Sequence, residues 1–471
     1  MATKQMLFSG VPFLFYFLPI VLLLYFVVPK KLKNTVLLLS SLFFYGWGEP
    51  KFLIFMLISI IHGYVFGLLI EKYNGMKRSK VFLVASVFIS LGILGYYKYA
   101  DFFIENFNAL TGASIPLLRI ALPIGISFYT FQIISYVIDV YRKDVAAQKN
   151  LINLGAYIAM FPQLIAGPIV RYSDIAKQLE NRTHTLEKTA LGVRRFVVGL
   201  SKKILIANVL GEVVSVFKES DDKSVLFYWI YAIAYLLHVY FDFSGYSDMA
   251  IGLGKIFGFD LCENFNYPYI SGSISEFWRR WHISLGSWFR DYLYFPMGGN
   301  RVSKPRFFLN IFVVWMATGF WHGAEWTFIC WGLYFAVLLI LEKTLLLKVL
   351  NKTHVLKHIY VLIFVTISFV LFDSVSVKDA IVSVGAMFGA GDYPLISAET
   401  IYYLKSIAVL LVVSCIGATP LPSKVFSKIS GNRIGEKVLV VIEPAVIIML
   451  LAVCTAFLID GSFNPFLYFR F

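Results

Sequence analysis

His322 is the one imidazole in the largely apolar and aromatic stretch from Ile311 to Trp331, where Glu325 is the one acid. An imidazole is unfavourable in hydrocarbon unless its ring nitrogens are satisfied, so an ionisable group at membrane depth marks a polar cavity or a reaction path. Imidazole also takes and returns a proton near neutrality, with an unperturbed pKa of about 6.5. A second histidine, His282, lies between Arg279 and Arg280 on one side and Arg290 on the other, in a segment rich in tryptophan. Two imidazoles and a group of guanidiniums supply a base, a polarising or orienting group, and positive charge for an anionic donor. Guanidinium binds phosphate in a bidentate way, so Arg279, Arg280 and Arg290 would suit the phosphate of coenzyme A or of a carrier protein.

Each feature also has a plainer reading. The segment from Ser273 to Gly299 could be an in-plane membrane anchor with its arginines on lipid headgroups, and His322 could be a packing histidine bonded to a neighbouring helix. Gly319 and Gly323 flank His322 and would let a backbone or a ligand come close. Glu325 and Asp242 are the acids that could hold its tautomer. His238, at the end of an apolar run, reads as structural, and His62, His184, His354 and His358 fall outside the cluster.

The elements that would position these groups are membrane helices. The chain is 59% hydrophobic and only 15% charged, against about 25% charged in soluble domains. Aromatic residues make up 17%, with 45 Phe and 28 Tyr, as befits surfaces that meet lipid and interface. The net charge of +14 sits in short Lys/Arg clusters between apolar runs, which fits the positive-inside rule and excludes a nucleic-acid-binding face. Cys262, Cys330, Cys415 and Cys454 form no C-x-x-C pair and no metal-ligand spacing, so they read as small hydrophobes and no metal is expected.

The first apolar run, 7–28, lacks a cleavage site and reads as a retained span with its N-terminus outside. Runs at 34–48, 52–70, 81–97 and 120–141 follow, and the loops between them alternate in basic charge. Between Leu151 and Arg171, Pro162, Gly167 and Pro168 break the run, predicting a re-entrant segment around a cavity. Ser273 and Glu276 match a capping box, and Phe277, Trp278, Trp281, Leu285, Trp288, Phe289 and Tyr292 recur at helical spacing, predicting an interfacial helix. Residues 307–341 are too long for one span and predict a hairpin that turns near Gly319 to Gly323. The expected fold is all-α and polytopic, about 11 spans of roughly 20 residues each, in a single domain covering 1–471 without repeats.

The chain resembles the membrane-bound O-acyltransferase family, and within it the bacterial polysaccharide branch typified by the alginate O-acetylation system. The resemblance rests on Phe43-Phe44-Tyr45-Gly46-Trp47, Pro123 to Gln132, Phe161 to Ile169, Tyr240 to Gly252, Trp278 to Leu285, Gly319 to Gly323 and Asn464 to Phe471, with the opening Leu7-Phe8-Ser9 and Phe13 to Phe17. It implies a helical body crossed by a tunnel, with His322 as the catalytic histidine and His282 as the second active-site position. It further implies an acyl thioester donor such as acetyl-CoA with no bound cofactor, an SGNH-type extracytoplasmic partner, a cell-surface polysaccharide as destination, and residence in the bacterial cytoplasmic membrane. Two rivals remain: D-alanyl transfer to teichoic acid, and a transporter that moves an acyl group or glycan while partners do the chemistry.

Overall fold

The computed structural model describes residues 6–48 and 50–460, so the motif Asn464–Phe471 lies outside the described residues. Every regular element among them is a helix. Six helices among the described residues are long and apolar enough to cross a membrane: Pro50–Lys72, Lys77–Thr111, Val225–Ile256, Leu356–Asp373, Ala398–Gly417 and Arg433–Ile459. That is fewer than about eleven. The remaining expected spans are helical too, but Leu18–Val27, Lys33–Gly48, Ile126–Arg142, Lys304–His322 and Trp326–Leu341 fall short in length or apolarity. The run expected at 120–141 loses its start because Gly125 adopts a left-handed φ of 71°, and the helix begins at Ile126. On Arg433–Ile459, Val440 and Val441 are 70% and 72% exposed, which suits lipid and not water as the surrounding solvent.

The chain forms two compact units. The first comprises 1–196 and 247–262. It contains the broken segment: Leu151–Ala159 is a helix whose start is capped by the Asn150 side chain, the backbone departs at Met160, and Phe161–Leu164 adds one further turn. Pro162 falls in the first turn of that short helix, where a missing N–H matters least. Protein groups satisfy what the break exposes. Ser41 Oγ accepts from the Phe161 N–H at 3.0 Å, the Gln163 amide donates to the Tyr157 carbonyl at 2.8 Å, and the Tyr157 hydroxyl donates to the Val170 carbonyl at 3.0 Å.

The second unit comprises 197–246 and 263–471. Its buried core is aromatic, with Phe277, Trp281, Trp331, Phe335 and Phe369 in one cluster. Lys304–His322 and Trp326–Leu341 form the expected hairpin. Its two helices pack backbone against backbone. A Cβ on Gly319 would meet the Phe328 carbonyl oxygen, and one on Gly332 would meet the Trp315 carbonyl oxygen. Gly323 likewise faces the Phe328 ring. The glycines around His322 therefore serve helix packing, and the sequence pattern alone could not distinguish that from room for a ligand. Gly319→Ala is expected to destabilise the protein by about 1–3 kcal/mol through overpacking, read as a lower unfolding midpoint in detergent. An unchanged midpoint would mean that the hairpin relaxes freely.

Candidate active site

The segment that carries His282 is not one helix. Ile274–Arg280 and Ile283–Phe289 are separate, joined by an extended Trp281 and by His282 in the left-handed region at φ 44°, ψ 54°. A non-glycine residue held there is strained by about 1–3 kcal/mol and persists only where its surroundings determine it. Asn264 is the determining neighbour. Its carbonyl accepts the Ile283 N–H at 3.0 Å, and its side-chain oxygen accepts the Ser284 N–H at 3.2 Å and the Ser284 hydroxyl at 2.8 Å. The same oxygen lies 3.1 Å from His282 Nδ1. A residue 18 positions earlier thus caps the second helix, a task the His282 side chain does not perform.

The first helix is anchored from the other direction. Ser273 caps it by accepting from the Glu276 N–H at 3.0 Å, while the Glu276 carboxylate returns to Gly272 rather than to Ser273, at 2.9 Å. The buried Glu342 carboxylate accepts from Ile274 N–H at 2.6 Å, Ser275 N–H at 2.9 Å and the Ser275 hydroxyl at 2.6 Å. A carboxylate is stabilised at a helix N-terminus by the orphan N–H groups and the helix dipole. Glu342 opens a π-helical turn, Glu342–Leu346, which also carries Lys343. Arg290 opens another, Arg290–Tyr294. Such turns are rare and concentrate at functional sites.

These elements enclose a cavity of about 450 Å³, within the range of about 300–1,000 Å³ usual for ligand sites. Arg279, Arg290 and Lys343 line it together with His282, Trp278 and Trp315. The three cations are exposed, whereas His282 is 1% exposed, so charge lies where the cavity opens and the imidazole lies at its depth. Arg290 pairs with Asp291 at 2.8 Å. Arg279 makes no ion pair among the described residues, and the indole N–H of Trp278 has no acceptor among them. Arg280 is absent from the lining: its guanidinium bonds Glu276 at 2.9 Å and the Asn266 carbonyl at 3.1 Å. The cavity thus gathers Arg279, Arg290 and His282 from the expected set and adds Lys343. Spacing could not reveal Lys343, which reads in sequence as part of an ordinary basic cluster after an apolar run.

His322 ends the first helix of the hairpin and is 7% exposed. Its ring stands edge-on to Trp331 and Phe372, with centroids at 4.9 and 5.3 Å. It does not line the cavity. Trp321 links the two histidines, its ring 5.8 Å from His282 and 5.0 Å from His322. Of the acids considered as partners, Asp242 is engaged by the buried Lys203, and the Glu325 carboxylate accepts from the Thr327 hydroxyl at 3.5 Å. His238 is buried and its Nδ1 bonds the Ala207 carbonyl. His62 bonds Ser86, His184 bonds Tyr25, His358 bonds the Ser271 carbonyl, and His354 is exposed. None of these five touches the cavity lining, in keeping with structural or solvated roles.

Among proteins of known description, one from Azotobacter vinelandii named "Probable alginate O-acetylase AlgI" is 38% identical over 499 aligned residues, covering 99% of this chain and all of the relative. A "Peptidoglycan O-acetyltransferase" of Helicobacter pylori is 35% identical and covers 72% of this chain and 70% of its own. A "Teichoic acid D-alanyltransferase" of Bacillus subtilis is 32% identical but covers only 46% of this chain and 58% of its own. The family model of the membrane-bound O-acyltransferases matches residues 42–373, a stretch that contains both histidines, the cavity and the hairpin. A multi-pass helical protein that carries this match and these relatives belongs to the membrane-bound O-acyltransferase family.

Proposed function

We propose that this O-acyltransferase takes an acetyl group from acetyl-CoA on the cytoplasmic side of a bacterial cytoplasmic membrane and passes it towards a cell-surface polysaccharide, through an SGNH-type extracytoplasmic partner. The full-length likeness to a protein named as an alginate O-acetylase supports the acetyl group and the polysaccharide destination. The observation that carries the reading is the cavity, with exposed Arg279, Arg290 and Lys343 at its opening and buried His282 within. Phosphates of the donor would bind the cations in charge-assisted hydrogen bonds, and its thioester would extend along Trp278 and Trp315 towards His282. The Trp278 N–H, without an acceptor among the described residues, is a ready donor to a carbonyl oxygen of that arm.

His322 acts as the base in this reading: it lies outside the cavity lining, across Trp321 from His282, so it would meet the acceptor hydroxyl and not the donor arm. The acceptor hydroxyl oxygen attacks the thioester carbonyl carbon, the C–O bond forms and the C–S bond breaks. The hydroxyl proton passes to His322 and then to the departing thiolate, which leaves as the free thiol. His282 orients the donor.

Purified full-length protein in detergent, supplied with labelled acetyl-CoA, an SGNH-type partner and a short polysaccharide, is expected to release free coenzyme A and pass the label to the partner and then to the polysaccharide. An alanyl increment on a teichoic acid acceptor, or thioester cleavage that proceeds on soluble partners without the membrane protein, would replace this reading. Arg279→Ala is expected to raise the donor KM by about 10-fold with kcat little changed, since a hydrogen bond to a charged group contributes about 1.5–3 kcal/mol. An unaltered donor KM would place the phosphates elsewhere.

A further inference from the structure

The bonding around Asn264 assigns a proton. A backbone N–H can only donate, so the Asn264 side-chain atom that faces the Ser284 N–H at 3.2 Å is the carbonyl oxygen and not the amide nitrogen. That oxygen has no proton to give, yet it lies 3.1 Å from His282 Nδ1. The contact is favourable only if Nδ1 carries the hydrogen, because a bare Nδ1 would set lone pair against lone pair. In a neutral imidazole one nitrogen is protonated and the other is an acceptor.

We propose that Asn264 is a positioning residue that holds His282 in the Nδ1–H tautomer, so that the neutral ring carries its lone pair on Nε2 and orients the donor by accepting a hydrogen bond there. This rests on the reading of His282 as part of that site. Asn264 is fully buried, and its carbonyl and side chain together hold the start of Ile283–Phe289 and the left-handed backbone of His282. Asn264 thereby bears on both the tautomer and the orientation of a ring that also packs edge-on against Phe243 and Trp321. A reversed tautomer would present an N–H at Nε2, which could donate to a carbonyl oxygen but could accept nothing. A misassigned tautomer at an otherwise intact site can abolish most of a histidine's catalytic contribution.

The test begins with the unsubstituted full-length protein, labelled with ¹⁵N-histidine in detergent, with the His282 signal identified by its loss in His282→Gln. Proton-coupled ¹⁵N spectra are expected to show the hydrogen on Nδ1; a hydrogen predominantly on Nε2 would overturn the proposal whatever the kinetics. In Asn264→Ala the single tautomer is expected to give way to a mixture. There kcat should fall by about 10-fold or more, as expected when a group that orients the reactants is misplaced. Asn264→Asp keeps an oxygen that accepts from both Nδ1–H and the Ser284 N–H, so it is expected to restore the tautomer and most of kcat. A purely structural role would leave both variants impaired alike with His282 unchanged in its spectrum, and that outcome would refute positioning. If the tautomer shifts as expected in Asn264→Ala while acyl transfer is untouched, Asn264 still sets the proton and it is the catalytic reading of His282 that falls.

Discussion

His322→Ala is expected to lower acetyl transfer by about 10²- to 10⁴-fold, the contribution typical of a placed base. The ring is buried at the end of Lys304–His322 against Trp331 and Phe372, so alanine also leaves a void among aromatic neighbours. His322→Gln separates the two effects because it fills most of the volume without a titratable ring. Both variants should lose transfer, and the glutamine variant should stay monodisperse with an unfolding midpoint close to the parent. Initial rates of coenzyme A release at saturating acetyl-CoA give the comparison. A monodisperse His322→Gln that retains near-parental rates would make His322 a packing residue and would move the base to His282, the imidazole in the cavity wall.

Sequence periodicity is local, and what it could reveal follows from that. Pro162, Gly167 and Pro168 interrupt the backbone wherever they fall, so the break between Ala159 and Arg171 was readable in the chain. The hairpin turn after His322 was readable because an apolar run of that length cannot be one span. Apolar spacing from Phe277 to Tyr292 continues unbroken across the site where the helix stops, because the interruption is imposed by Asn264, 18 residues upstream. The start of Ile274–Arg280 is held by Glu342, 68 residues downstream of Ile274. Neither long-range bond has a local signature. The same limit applies to charge: Arg280 and Arg279 are adjacent in sequence, yet one is tied to Glu276 and the Asn266 carbonyl while the other lines the cavity. Side-chain direction on a short, interrupted helix decides which arginine can meet a ligand, and composition is blind to it.

The second large effect is expected at Lys203 and Asp242, charges that the acyl-transfer chemistry leaves unused. Lys203 lies in the π-helical turn Lys202–Ala207 and Asp242 on Val225–Ile256; both are almost completely buried and they form an ion pair. Removing one partner of such a pair strands a charge in a medium that solvates it poorly, whereas replacing both by apolar groups of similar size is often neutral or better. Lys203→Met alone should therefore lower stability by about 3–5 kcal/mol, seen as a large drop in the unfolding midpoint in detergent. Lys203→Met combined with Asp242→Leu should recover most of that loss. If the double variant is as unstable as the single, the two side chains are not an energetic unit. Activity in the double variant decides a further point, because Asp242 is one of the two acids that could have oriented His322. With its carboxylate engaged by Lys203, the stable double variant is expected to keep its acyl transfer. A well-folded double variant without activity would instead return Asp242 to His322, and the buried lysine would then be the group that keeps that carboxylate ionised at membrane depth.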